Sequence, residues 1–211
     1  MNLAQRTESL FESLESSVRR AIRKAEQACL KVEFSNTPEA MATYYQLHCH
    51  TRKHHGLPPQ PFQFFRKIQE HLLSKNHGIV VVARLNTQAV AAAVYLQHGS
   101  KAVYKFGASL KDVLDTRANN LVMWKAIQWL AEKGCTELTF GRTSLHHEGL
   151  RRFKLGWGTE EYAINYFKYD LKQKRVVAET DQSAGWYNTV FRHLPIPAGR
   201  LAGRLLYRHV A

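Results

Sequence analysis

A lysine that follows a phenylalanine, and a short polar run upstream of it, carry the side chains best suited to chemistry. Phe153 is expected to anchor a short helix in the core, which directs the ammonium group of Lys154 towards a cleft at the carboxyl end of a sheet. Arg142, Thr143 and Ser144 follow a predicted core strand, where clustered polar groups commonly face a ligand. Such groups stabilise the oxyanion that develops when an amine attacks a carbonyl group. A solvated lysine and a loop cap are the structural alternatives.

Two further clusters could bind phosphate groups. Arg19, Arg23 and Lys24 lie in one predicted helix, and a guanidinium offers paired donors to a phosphate. Arg117 precedes another predicted helix, which starts at Asn119 and Asn120 and whose free backbone N–H groups attract anions. A solvated helical face and ordinary helix capping explain the same residues without a ligand.

The loop before Phe153 also holds two candidates for accepting a proton from an amine. His147 is one, because imidazole titrates near neutral pH, and Glu148 is the other. The chain has eleven histidines, but none shows a ligand spacing such as His-Glu-x-x-His, so we expect no metal site. We expect Cys135 to fill the core rather than to act as a nucleophile.

Hydrophobic periodicity predicts the helices that position these residues. Leucine, isoleucine, valine and alanine recur at three- and four-residue intervals from residue 7 to about residue 30, which predicts one long amphipathic helix. Further helices are predicted over residues 39–53, from residue 62 onwards and over residues 119–133. Residues 54–61, here called the proline loop, contain three prolines and are predicted to be stiff and non-helical.

The strand pattern predicts the fold class. Residues 79–84 and 89–97 are nearly continuous apolar runs, so we expect other elements to cover both faces of these two strands. With residues 102–106 they form three consecutive antiparallel strands. The other predicted strands are residues 31–35, 137–140 and 160–171. Helices inserted around a mostly antiparallel mixed sheet predict an α/β or α+β domain.

The order of elements and several short runs resemble FemAB-like members of the GNAT acyltransferase superfamily. The resemblance covers about residues 19–169, and the Phe-Lys-x-x-Trp-Gly run at residues 153–158 is its most specific part. The other matching runs are residues 19–26, 107–109, 117–121 with Trp124, 134–135, 140–144 and 149–152.

The resemblance implies a GNAT-like fold and an enzyme that moves an acyl or aminoacyl group onto an amine, in cell-envelope or exopolysaccharide metabolism. It implies acyl-CoA or aminoacyl-tRNA as the donor and assigns Lys154 to the charge of the substrate or transition state. It places Arg152 and Trp157 at the substrate and Tyr104 beside the donor channel, although an aromatic residue in a strand commonly serves packing. The acyl-CoA signature Gln/Arg-x-x-Gly-x-Gly/Ala is absent from residues 115–121.

The charge balance favours an anionic partner. Thirty Lys and Arg residues against 17 Asp and Glu give a formal charge of +13, which suits nucleic acid, a phosphate-bearing substrate or a membrane surface. The alternative function is therefore a non-catalytic nucleic-acid-binding module that uses the basic helices at residues 19–24 and 200–208.

The sequence also predicts the domain organisation and the cellular compartment. We expect a basic amphipathic helix at residues 1–30, a single GNAT-like transferase domain at residues 31–180 and a basic helical tail at residues 181–211. Members of the family usually carry two GNAT-like units, so a homodimer could supply the second. No apolar run approaches the roughly 20 residues that span a bilayer. Three isolated cysteines, without disulfide or zinc spacing, indicate a reducing, cytoplasmic location.

Overall fold

The computed structural model describes residues 1–177 and 187–207. The strands are β1 (Leu30–Ser35), β2 (Gly78–Leu85), β3 (Gln88–His98), β4 (Lys101–Ser109), β5 (Glu137–Thr139), β6 (Lys168–Asp170) and β7 (Arg175–Val177). The helices are α1 (Thr7–Glu12), α2 (Ser16–Gln27), α3 (Pro38–His54), α4 (Phe62–His71), α5 (Ala118–Glu132), α6 (Glu148–Leu155), α7 (Tyr187–His193) and α8 (Ile196–Leu206).

Five strands form one sheet in the order β1-β2-β3-β4-β5. Neighbouring strands are antiparallel except β4 and β5, which run parallel. This arrangement confirms the predicted mixed, mostly antiparallel sheet flanked by helices. Strands β6 and β7 form a separate two-stranded sheet.

The two central strands are buried on both faces, as their apolar runs predict. Successive side chains of a strand point to opposite sides. Val81 and Ala83 therefore belong to a core shared with α1, α2 and α5, whereas Val80 and Val82 belong to a second core shared with α3 and α4. The sheet thus separates two hydrophobic layers.

The predicted single helix over residues 7–30 is wrong, because the chain breaks it between α1 and α2. At the break the N–H of Glu15 donates to the carbonyl oxygen of Gly156 at 3.0 Å. Leu14 is buried there, at 2% exposure. A contact with a segment about 140 residues away therefore interrupts a helical pattern that is continuous in sequence.

The predicted long strand over residues 160–171 is also wrong. Only residues 168–170 form a strand, and the exposed fraction of Tyr162, Tyr166 and Phe167 is between 70% and 80%. A strand needs a partner, but the outer edge of β5 is already occupied by the N-terminus. The N–H of Leu138 donates to the carbonyl oxygen of Met1 at 3.0 Å.

Helices α3 and α8 join at one side of the second core. Thr37 caps α3 by accepting a hydrogen bond from the N–H of Ala40, as Pro38 in the first turn suggests. Arg52 near the end of α3 donates to the hydroxyl group of Tyr207, just after α8, at 3.1 Å. The predicted boundary at residues 180 and 181, together with Arg208, lies outside the described residues.

Candidate functional site

A cavity of about 300 Å³ lies where the second half of β4 meets three helices. Strands β3 and β4 form its floor, and the end of α3, the start of α5 and one face of α6 form its walls. Polar groups reach it from separate elements: Thr51 from α3 and His55 directly after it, Tyr104 and Ser109 from β4, and Asn119 from α5. Phe153 and Leu150 of α6 cover the opposite side.

The cavity opens because β4 separates from β5. The two strands pair only between residues 101–103 and 137–139, whereas β4 continues to Ser109. A bulge at Lys105 further bends β4, because Val94 faces Phe106 while Tyr95 faces Tyr104. The edge of β4 beyond Val103 therefore has no neighbouring strand among the described residues, and a wedge remains.

Side-chain hydrogen bonds hold the end of β4 in place. The hydroxyl group of Thr51 donates to the carbonyl oxygen of Ser109 at 3.1 Å and accepts from its N–H at 3.0 Å. The amide nitrogen of Asn119 donates to the hydroxyl oxygen of Ser109 at 2.9 Å. These bonds tie α3, β4 and α5 together at the cavity wall.

Helix α5 begins at this wall without a side-chain cap. Arg117 precedes it in the left-handed region, with φ of 58°. Its carbonyl oxygen accepts from the N–H of Asn120 at 2.9 Å. No side chain of the described residues bonds the first N–H groups of the helix, at Ala118 and Asn119, so this end is suited to an anion.

Tyr104 is the one predicted site residue that lines the cavity. Its ring packs against Tyr95 and Phe140, with centroids 5.6 and 6.0 Å away. Its hydroxyl group lies against Gly107, where any side chain would overlap it. Burial raises the pKa of Tyr104 to about 12, so the phenol is protonated at neutral pH.

Lys154 lies beside the cavity but does not line it. Its ammonium group donates to the carbonyl oxygens of Gly141 at 3.0 Å and Arg142 at 3.2 Å. Burial lowers the pKa of this lysine. Lys154 therefore joins α6 to the loop that follows β5.

The remaining predicted residues of that loop point in different directions. The guanidinium of Arg142 lies 5.0 Å from the ring centroid of Tyr166. The buried hydroxyl group of Thr143 has no hydrogen-bond partner within residues 1–177 and 187–207. Ser144 accepts the N–H of His147 at 3.0 Å through its carbonyl oxygen.

The predicted site residues next to and within α6 are either exposed on its surface or buried just after its last turn. His147 and Glu148 stand exposed at the start of the helix, and Arg152 is exposed in its second turn. Trp157, expected at the substrate, is instead fully buried, with its ring centroid 6.2 Å from that of Phe153. The ring packs against Phe153 and also against Phe140, whose centroid is 6.5 Å away, and its Nε1–H has no hydrogen-bond partner among the described residues.

The basic cluster of α2 lies away from the cavity wall. Val18, Ile22 and Ala25 form the buried face of this helix. Arg19, Arg23 and Lys24 do not line the cavity, and the guanidinium of Arg23 lies 5.6 Å from the ring centroid of Phe11.

Sequence reasoning missed Thr51, His55 and Ser109 as wall residues, and it predicted Asn119 only as part of a helix start that binds an anion. Thr51 and His55 are one helical turn apart, but nothing local indicates that this turn meets β4. Asn119 is adjacent to the predicted Asn120, and one residue along a helix rotates the side chain by about 100°.

The described residues contain no group of three or more His, Cys, Asp or Glu side chains that could hold a metal ion. Across the same residues, no helix is both long enough and apolar enough to cross a membrane.

Comparisons with known proteins agree with this geometry. Residues 13–163 match a family model described as an acetyltransferase (GNAT) domain. The crystal structure of FemX matches with a TM-score of 0.70 and 18% identity, over 76% of this chain and 57% of FemX. No match was found among curated protein sequences.

Two aminoglycoside acetyltransferases also share the fold. The aminoglycoside antibiotic 6'-N-acetyltransferase AAC(6')-Ih from Acinetobacter baumannii matches at a TM-score of 0.53 and 15% identity, over 67% of this chain and 99% of that chain. AAC(6')-Iy, in complex with the bisubstrate analog CoA-S-monomethyl-acetylneamine, matches at 0.53 and 16% identity, with the same coverage.

These identities show the fold alone, and the chain spans little more than half the length of FemX. The comparisons do not support the alternative of a non-catalytic nucleic-acid-binding module. The family model, however, covers 13–163 of 211 residues. The chain therefore belongs to the GNAT acetyltransferase family.

Proposed function

We propose that the chain transfers an acyl group from a coenzyme A thioester to an amine inside the cavity between β4 and α5. The observation that carries the proposal is the wedge itself. Strand β4 loses its partner after Val103, and a cavity of about 300 Å³ begins there. Unpaired backbone groups along such an edge can bind an extended, amide-bearing chain in the manner of an added strand.

The groups at the two ends of this wedge support coenzyme A as the carrier of the acyl group. The uncapped start of α5, beside the exposed Arg117, supplies N–H groups and a positive charge for a diphosphate. The protonated Tyr104 supplies a hydroxyl group deeper in the cavity. AAC(6')-Iy holds a bisubstrate analog of coenzyme A in the same fold, which supports this donor. Aminoacyl-tRNA is the competing donor, favoured by the charge of +13.

The acceptor is an amine, and we propose one carried by an anionic cell-envelope or exopolysaccharide precursor. None of the cavity-lining residues of the described chain is Asp or Glu, whereas Arg142 and Arg152 lie exposed nearby on the loop and on α6. The fold similarity to FemX supports the same class. The free thiols of Cys29, Cys49 and Cys135 support a cytoplasmic location.

Lys154 acts in this proposal as a positioning residue. Its bonds to Gly141 and Arg142 fix the loop after β5 against α6. Phe153, its neighbour, is thereby held at the cavity wall. The acceptor would be contacted only from outside this wall by His147, Glu148, Thr143 and Ser144.

Ligand-induced thermal stabilisation tests the donor. A ligand that binds only the folded state, at about 100 times its Kd, stabilises it by about 2.7 kcal/mol. We expect acetyl-CoA to raise the melting temperature and a charged tRNA to leave it unchanged. Stabilisation by the charged tRNA alone would assign the other donor, and no effect of either would overturn the proposal.

Two tryptophan variants of α6 locate the binding site. Leu150 lines the cavity and is 46% exposed, whereas Leu155 is 37% exposed and does not line it. We expect Leu150→Trp to abolish stabilisation by acetyl-CoA and Leu155→Trp to retain it. Equal behaviour of the two variants would place the donor elsewhere. Sedimentation of the same samples at high protein concentration tests whether a homodimer supplies the second GNAT-like unit.

A further inference from the structure

The cavity wall contains few groups that can exchange a proton. Its titratable side chains, within the part of the chain that the structure describes, are His55, Tyr95 and Tyr104. The hydroxyl group of Tyr95 already donates to the sulfur of Met123 at 3.2 Å, and burial raises the pKa of both tyrosines. Neither phenol can therefore accept a proton from an amine at neutral pH.

We propose that His55 is the general base that removes the proton from the attacking amine. This proposal rests on the proposed acyl transfer in the same cavity. His55 lies at the end of α3, one turn after Thr51, which anchors Ser109 of β4. It is the remaining titratable group of the wall, and imidazole is the side chain best matched to proton transfer near neutral pH.

The surroundings of His55 keep the imidazole neutral. Partial desolvation lowers its pKa, and the positive charges of His54, Arg52 and Arg192 act in the same direction. These groups belong to α3 and α7, while α6 contributes only the apolar Leu150 and Phe153 to the cavity. No carboxylate lines the described cavity to oppose them. The ring is also exposed, so an accepted proton can pass to solvent.

Acyl transfer in this cavity is a direct attack of the amine on the thioester. The amine nitrogen uses its lone pair to form a C–N bond with the thioester carbonyl carbon, and its proton passes to a nitrogen of the His55 imidazole. The C–S bond breaks, the carbonyl re-forms, and coenzyme A leaves as a thiolate. Solvent then returns one proton to the thiolate and takes one from His55. His147 and Glu148 do not line the cavity, so neither is placed for this role.

The matched variants are His55→Gln and His54→Gln, since His54 is the exposed neighbour that does not line the cavity. We expect His55→Gln to lower kcat by about 100-fold or more, within the usual range for a lost general base. Stabilisation by acetyl-CoA should be retained, because the donor site is intact. His54→Gln should keep the wild-type kcat.

The pH profile separates a base from a merely structural histidine. In the wild type we expect the rate to rise with pH through an apparent pKa below 6.5, since the neutral imidazole is the active form. This acidic limb should disappear in His55→Gln, and added imidazole should restore part of the rate of His55→Ala.

The outcomes distinguish this inference from the function on which it rests. An active wild type whose acidic limb persists in His55→Gln, or whose rate falls less than about threefold, would overturn the role of His55 alone. An inactive wild type with every acyl-CoA and amine pair would overturn the proposed function. Should His55→Gln unfold, the imidazole rescue of His55→Ala decides the question instead.

Discussion

His48 makes the stability of the protein depend on pH in the mildly acidic range. This residue of α3 is 5% exposed and lies among aromatic rings, with the ring centroid of Phe65 4.9 Å away. Its Nε2 donates to the side-chain oxygen of Gln60 at 2.7 Å, so its Nδ1 accepts from the hydroxyl group of Tyr44 at 3.2 Å. Nδ1 can accept this bond only while the ring is neutral, whereas Nε2 donates to Gln60 in either protonation state.

Burial is the main cause that lowers the pKa of His48 to about 4, with Arg52 acting in the same direction and Gln60 against it. In the unfolded chain the ring titrates near 6.5. The unfolded state therefore binds the extra proton first as the pH falls, and the stabilising contribution declines from about pH 6.5 until it is lost near pH 4. From these two pKa values, linkage predicts a loss of about 2 kcal/mol between about pH 7.5 and about pH 5.

Urea denaturation at the two pH values measures this loss. We expect the free energy of unfolding of the wild type to fall by about 2 kcal/mol more than that of His48→Gln, which keeps a donor towards Gln60 but cannot titrate. His71→Gln, at an exposed histidine of α4, is the control and should follow the wild type. Parallel pH dependence of wild type and His48→Gln would refute the argument that burial keeps this ring neutral.

Four further variants test the close contacts of the fold. A side chain at Gly107 would overlap the hydroxyl group of Tyr104, so we expect Gly107→Ala to displace that phenol and lower kcat/KM by about 100-fold in an acyl-transfer assay. A side chain at Gly203 would overlap the carbonyl oxygen of Pro59 in the proline loop, whereas one at Gly199 would come no closer than 3.9 Å to that loop, at the Cδ of Pro59. Hydrogen exchange should therefore show α8 loosened by Gly203→Ala and unchanged or tightened by Gly199→Ala. Lys154→Ala removes two hydrogen bonds to carbonyl oxygens, so we expect the free energy of unfolding in urea to fall by about 1 kcal/mol. We expect the rate of acyl transfer to fall by more than the loss of folded protein explains.

Local pattern predicted most of the sheet and its helices. The apolar runs of β2 and β3 indicated strands covered on both faces, and the structure places Val81 and Val82 in opposite hydrophobic layers. The order of elements, with the Phe-Lys-x-x-Trp-Gly run, was sufficient to predict a GNAT-like fold. These features depend on side-chain period and on residues close in sequence.

The two wrong elements failed for the same physical reason. Alternation in residues 160–171 is typical of a strand, but a strand also needs a free edge, and Met1 occupies the edge of β5. Residues 7–30 keep a helical period, but Glu15 bonds to Gly156, far along the chain. In each case a distant backbone segment decided the outcome.

By itself the sequence determined most of the element types, the two-sided core and the superfamily, because periodicity and short motifs express local preferences. Only the tertiary structure brought His55, Ser109 and Asn119 to one cavity. It also buried Trp157 and directed Lys154 to two carbonyl oxygens. The reason is that a period specifies which residues share a face, whereas packing of distant segments decides what that face meets.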